Sequence, residues 1–124
     1  MNVVDSSGWL EYFADGPNAA FFAPAIEDTE NLLVPVICIY EVFKRIYQTQ
    51  GQALAEIHAA DMQKGVLIDL TPSLSMSAAK ISADQKLPMA DSLILAIARE
   101  YSATLWTQDK HFQGMAGVQH VTKS

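Results

Sequence analysis

The sequence predicts an α/β fold: a three-layer α/β/α sandwich around a central, mainly parallel sheet of four to five strands, formed as one domain over residues 1–124. Three observations carry that expectation. Short apolar runs alternate with stretches of helical period, the pattern of strands joined by crossover helices. Short runs such as Val66 to Leu70 are largely apolar rather than alternating, which fits strands covered on both faces. Finally, 124 residues, half of them hydrophobic and 18% charged, suffice for one buried core without disulfide or structural metal.

In chain order, Asn2-Val3-Val4-Asp5 reads as a short strand ending in an acid. Ser6-Ser7-Gly8 turns the chain into a helix carrying Trp9, Leu10, Tyr12 and Phe13, which Asp15-Gly16-Pro17 stops. A second helix runs from about Asn18 to Ile26. Leu32 to Val36 is the second strand, with Pro35 expected near its end or on an edge, since proline donates no ladder bond. Ile37 to Gln50 has helical spacing, broken by Gly51. Ala53 to Gln63 follows, with Leu54, Ile57 and Met62 on its apolar side. Gly65 to Leu70 is the third strand. Thr71-Pro72 is a helix cap followed by proline in the first turn, opening a helix to about Gln85 with Leu74, Ala78 and Ile81 inward. Pro88 opens the next helix, which runs to Tyr101. Thr104 to Thr107 is the fourth strand, Gln108 to Phe112 a turn or short helix, and Gly117 to Val121 a weak fifth strand at an edge.

The helix from Pro88 is apolar on nearly every side, which marks it as buried, yet Asp91 sits in its first turn. A carboxylate there needs a partner, a proton or a cation; the helix dipole offers well under ~2 kcal/mol. In open α/β sheets, sites form outside the carboxyl ends of the strands. Asp5 ends the first strand, Glu41 lies just past the second, Asp91 opens the helix that feeds the fourth, and Asp109 lies two residues beyond that strand. Each has a simpler reading. Asp5 can cap the turn at Ser6-Ser7, and Asp109 can form an Asx turn. Glu41 precedes Lys44 and Arg45 at helical ion-pair spacing, a contact of only ~0.3–0.5 kcal/mol. The conjunction at one sheet end favours a site.

Four carboxylates together repel, and a divalent cation resolves the repulsion. Mg²⁺ or Mn²⁺ suits such a shell, and the lack of a His/Cys cluster argues against zinc. A cation held this way can activate water and neutralise charge growing on a phosphodiester. Ser6 and Thr107 are candidate supporting hydroxyls. His111, near Asp109, is either a substrate contact or a solvated loop side chain. His58 reads as a surface residue, and Asp69 as a turn cap.

Charge and composition limit the function classes. A net charge of −6 with eight scattered Lys and Arg argues against a broad cationic footprint for nucleic acid, so a metal would have to bridge part of the repulsion. The single cysteine, Cys38, excludes an internal disulfide and fits a reducing compartment. The chain shows neither a basic leader with a long apolar run nor a membrane span, so the expectation is a cytoplasmic protein with no membrane partner. There is no Gly-rich phosphate loop and no nucleophile elbow.

Four segments, in order, resemble the PIN domain, specifically the VapC toxin ribonucleases of bacterial and archaeal toxin–antitoxin pairs. Val3-Val4-Asp5-Ser6-Ser7 resembles the opening strand and first acid; Pro35 to Val42, the segment carrying the glutamate; Leu87 to Ala96, the most recognisable stretch; and Leu105 to Phe112, the closing Thr-x-Asp-x-x-Phe pattern. The resemblance implies a Mg²⁺- or Mn²⁺-dependent endoribonuclease. Asp5, Glu41, Asp91 and Asp109 would be its metal-binding and catalytic acids, and Ser6 and Thr107 its supporting hydroxyls. It further implies a homodimer, an RNA substrate, and a cognate antitoxin that often places a basic side chain among the acids. Two other readings stand beside it: a non-catalytic PIN-like module whose acidic pocket receives a basic partner segment, and a PIN-like DNA nuclease.

Overall fold

A computed structural model describes residues Met1–Ser124. The chain runs β1 (Asn2–Val4), α1 (Ser6–Phe13), α2 (Ala19–Glu27), β2 (Leu32–Pro35), α3 (Val36–Gln50), α4 (Gln52–Met62), β3 (Val66–Ile68), α5 (Pro72–Gln85), α6 (Met89–Glu100), β4 (Thr104–Thr107) and β5 (Val118–His120). The strands form one sheet of order β3-β2-β1-β4-β5. Every neighbouring pair is parallel. Val3 and Val4, which point to opposite faces, are both fully buried, so the centre of the sheet is covered on each side.

Local chemistry starts and stops the helices where the sequence indicates. Asp5 caps α1, accepting from the Gly8 amide at 3.0 Å. Thr71 caps α5 through the Leu74 amide at 3.2 Å, with Pro72 in the first turn. Gly51, at φ +95°, ends α3 in a conformation that other residues avoid. Gly8 answers a different demand: a Cβ there would lie 2.7 Å from both Phe22 and Val4, so the start of α1 rests directly on β1 and α2. In α6, the seven residues from Ser92 to Ala98 are all buried. The main core of 24 residues joins this helix to Val3, Val4, Trp9, Phe22, Val34 and Leu105.

Several expectations change. Strand β2 is one residue shorter, because α3 begins at Val36 with no intervening loop; Pro35, its last residue, also occupies the position before the helix. Strand β3 spans only Val66–Ile68 and is an edge, so Val66 and Leu67 are each 44% exposed rather than covered on two faces. In α4 the buried face is Ala55, Ala59 and Met62, while Ile57 points outward. His58 is not a free surface residue: its ring stacks on Phe13 with centroids 4.0 Å apart. No helix is long and apolar enough to cross a membrane.

Candidate active site

From β1 the chain leaves toward β2 on one side, and β4 enters on the other. The carboxyl ends of β1 and β4 therefore flank the point where strand order reverses, where a crevice opens. Val4 pairs with Trp106, so Asp5 and Thr107 emerge side by side.

Asp5 is buried and tied on both oxygens. Oδ1 accepts from Ser7 Oγ at 2.8 Å and from the Gly8 amide; Oδ2 accepts from Thr107 Oγ1 at 2.5 Å. Burial pushes its carboxyl above the usual range; the hydrogen bonds from Thr107, Ser7 and Gly8 oppose the rise, and the charge on Asp109 adds to it. Thr107 Oγ1 also accepts from the Asp109 amide at 2.9 Å, so one hydroxyl links two acids. Asp109 caps a 3-10 turn, Lys110–Phe112, through the His111 amide at 2.9 Å. The capping readings of Asp5 and Asp109 thus hold alongside their place at the crevice.

Glu41, in the second turn of α3, accepts from Ser6 Oγ at 2.6 Å. Neither basic neighbour pairs with it: Lys44 lies 5.9 Å from the Tyr40 ring centre, and Lys64–Asp61 is the one lysine or arginine ion pair in the chain. One turn earlier, Cys38 is fully buried with its thiol 3.9 Å from the Val4 carbonyl. Burial raises its pKa strongly; Ser6 opposes the rise, and the charges on Asp5 and Glu41 add to it.

Asp91, third residue of α6, stands half-buried opposite. Its pKa is pushed up to about 6 by burial first, then by the charges on Asp109 and Asp5; His111 opposes the rise and Glu41 adds to it. His111 Nδ1 lies 3.2 Å from Asp91 Oδ2 and 2.9 Å from Asp109 Oδ1. One ligand atom from each of Asp91, Asp109 and His111 lies within 4.8 Å of the other two. Asp5 and Glu41 stand outside that trio, close enough for their charge to act on Asp91.

Sequence reasoning left His111 undecided. The available signal was its position two residues after Asp109, but only the 3-10 turn brings the ring back over the carboxylates. An imidazole among the oxygens also revises the donor set and removes the composition argument against softer cations; Mn²⁺ accepts such a mixed set more readily than Mg²⁺. A divalent cation fits these residues on charge. Two acids meet here beside His111, Asp5 and Glu41 add their charge, no lysine or arginine pairs with them, and burial together with these charges raises the Asp91 pKa.

A parallel α/β domain with carboxylates gathered at its switch point is a candidate metal-site domain, and the family comparison places it further. The PIN domain model matches residues 3–118; the chain belongs to the PIN domain family, whose members are typically metal-dependent nucleases. No curated protein matches it in sequence. Among solved structures, it is similar to a chain of a toxin–antitoxin complex from Klebsiella pneumoniae (TM-score 0.77, 20% identity, 96% of each chain covered). It also resembles VapC20 of Mycobacterium tuberculosis, described as a sarcin–ricin-loop-cleaving toxin (TM-score 0.78, 14% identity, 94% of this chain and 95% of that one). A third likeness is to a chain of VapBC2 from Rickettsia felis, bound to a DNA fragment from its promoter (TM-score 0.74, 10% identity, 98% and 97% covered). At these identities the likeness concerns the fold.

Proposed function

We propose that this protein is a Mg²⁺- or Mn²⁺-dependent endoribonuclease and the toxin of a toxin–antitoxin pair. The observation that carries the reading is the under-neutralised carboxylate cluster of Asp91 and Asp109, with Asp5 and Glu41 beside it, at the carboxyl end of a PIN-domain sheet. Asp91 and Asp109 would hold the cation directly, with Asp5 and Glu41 completing the acidic wall. When bound, the cation supplies Lewis acidity that activates water and offsets charge developing on the scissile phosphate. The chain's own groups do the positioning. Thr107 holds Asp5 and the Asp109 backbone in one arrangement, and Ser6 orients Glu41. The His111 ring lies against both carboxylates, its Nδ1 3.2 Å from Asp91 Oδ2 and 2.9 Å from Asp109 Oδ1. A cognate antitoxin, which the toxin–antitoxin assemblies of similar fold support, and a second copy of the chain are the proposed protein partners.

The deciding experiment is cleavage of single-stranded RNA with Mg²⁺ or Mn²⁺, with EDTA, and with Asp91→Asn. Cleavage is expected only in wild type with metal; cleavage that survives EDTA or the substitution overturns the reading. A DNA strand of the same sequence tests the choice of nucleic acid. A second reading, a module whose acids receive a basic partner segment, draws on the contact of His111 with both acids. Titration with Mn²⁺ separates the two, since only the nuclease requires a site-specific ion.

A further inference from the structure

We infer that two adjoining cavities beside the acid cluster are the track of the RNA strand, one taking a backbone phosphate next to Asp109 and the other a nucleotide further along, against Arg45 and His58. The inference rests on the ribonuclease reading and names where its substrate lies.

The nearer cavity, about 510 Å³, has no hydrophobic residue in its wall; Asp109 stands at its edge with Lys110, Gln113, His120 and Lys123. The farther, about 350 Å³, opens between α1, α3 and α4 and is lined by Phe13, Arg45, Thr49, Gln50 and His58. Ser7, Gln108 and Lys123 line both, so the two adjoin. Each falls within the roughly 300–1,000 Å³ of ordinary ligand sites. Of the four site acids, Asp109 alone borders them, so the track leads away from the chemistry without crossing its negative charge.

Charge asks for an anionic occupant. In a chain of net charge −6, Arg45, Lys110 and Lys123 gather here with two of the three histidines. The second carboxylate in the walls, Glu11, is engaged, accepting from the Asn18 amide at 2.7 Å. His58 lines the farther cavity and His120 the nearer one. Cations beside an aromatic side chain are the usual means of holding a single strand. An apolar peptide would find nothing to bury against in the nearer cavity.

The test compares wild type with Arg45→Ala/Lys123→Ala, both exposed and outside the acid cluster. The probe is a fluorescein-labelled single-stranded RNA of about 12 nucleotides, within the ~4–16 nucleotide reach of single-strand sites. Binding is read by anisotropy in Ca²⁺, and cleavage in Mn²⁺. Two lost phosphate contacts should raise Kd and KM roughly tenfold and lower the salt slope by about 1.4, leaving kcat unchanged. Arg45→Lys/Lys123→Arg should restore both. Cleavage by wild type with Kd, KM and salt slope unmoved in the double variant overturns the track and leaves the nuclease reading standing. RNA binding that depends on Arg45 and Lys123 without cleavage supports the track while the nuclease reading fails. An oligoglutamate peptide bound at these residues in place of RNA overturns the track.

Discussion

Asp5 and Asp91 are both acids at one sheet end, yet they are held in opposite ways. Asp5 leaves a central strand and is fastened on each oxygen by three donors from Ser7, Gly8 and Thr107. Asp91 rides on the most buried helix of the fold but has for a partner only a half-exposed histidine, which it shares with Asp109. One carboxylate belongs to the scaffold as much as to the site. The other is a charge imposed on the scaffold, its pKa raised by burial and by the charges on Asp109 and Asp5 with no donor but His111 to offset them. The difference separates orientation from demand: Asp5 sets geometry, and Asp91 creates the need for a cation.

Substitution should expose the contrast most strongly in activity. Asp91→Asn should reduce metal-dependent RNA cleavage by more than ~100-fold, beyond the 10- to 100-fold typical of groups that merely support ligands. In EDTA the same variant should melt at or above the wild-type temperature, because a repelling charge has gone. Asp5→Ala should move stability the other way. It strips the α1 cap and leaves Thr107 and the Gly8 amide unpaired, which costs about 1–3 kcal/mol in denaturant titrations. Equal destabilisation by both variants would erase the distinction.

Thr107→Val sharpens the comparison on the Asp5 side. It removes the hydroxyl that links Asp5 to the Asp109 amide, so cleavage should fall ~10- to 100-fold with a stability loss of about 1 kcal/mol. The smallest effect concerns pH on the Asp91 side. The fold holds the Asp91 proton up to about pH 6, against 3.8 for the free side chain. The protonated form therefore favours folding below about pH 4, and that contribution is lost as pH rises through about 6. Solvent screening at this half-open site reduces the swing to ~1–2 kcal/mol. Melting curves in EDTA should show it, and Asp91→Asn should flatten it.

What could be read from residues alone follows the same division. The acids at positions 5, 41, 91 and 109 stood out because each closes or follows an apolar strand or opens an apolar helix, and backbone periodicity places such positions well. The strand-and-helix alternation carried the parallel sheet for the same reason. Contacts that depend on side-chain reach were out of range. Nothing in Thr107-Gln108-Asp109 says that one hydroxyl serves both Asp5 and the Asp109 amide. Nothing in Lys110-His111-Phe112 says that a 3-10 turn carries the imidazole back to Asp91. Val66 and Leu67 misled because an apolar run does not reveal how many neighbours a strand has; β3 has one. The β-branched Val36 read as the end of a strand although the helix had already begun.

The buried Cys38 thiol has a practical consequence. It is the chain's only cysteine, it is fully enclosed, and its raised pKa keeps it in the unreactive thiol form. Maleimide and iodoacetamide reagents should therefore leave the native protein unmarked. A cysteine introduced at an exposed surface position becomes a unique attachment point for a fluorophore or spin label, with no need to remove the native one. The carboxylates above it can then be watched as cation or RNA arrives without disturbing the packing that holds them.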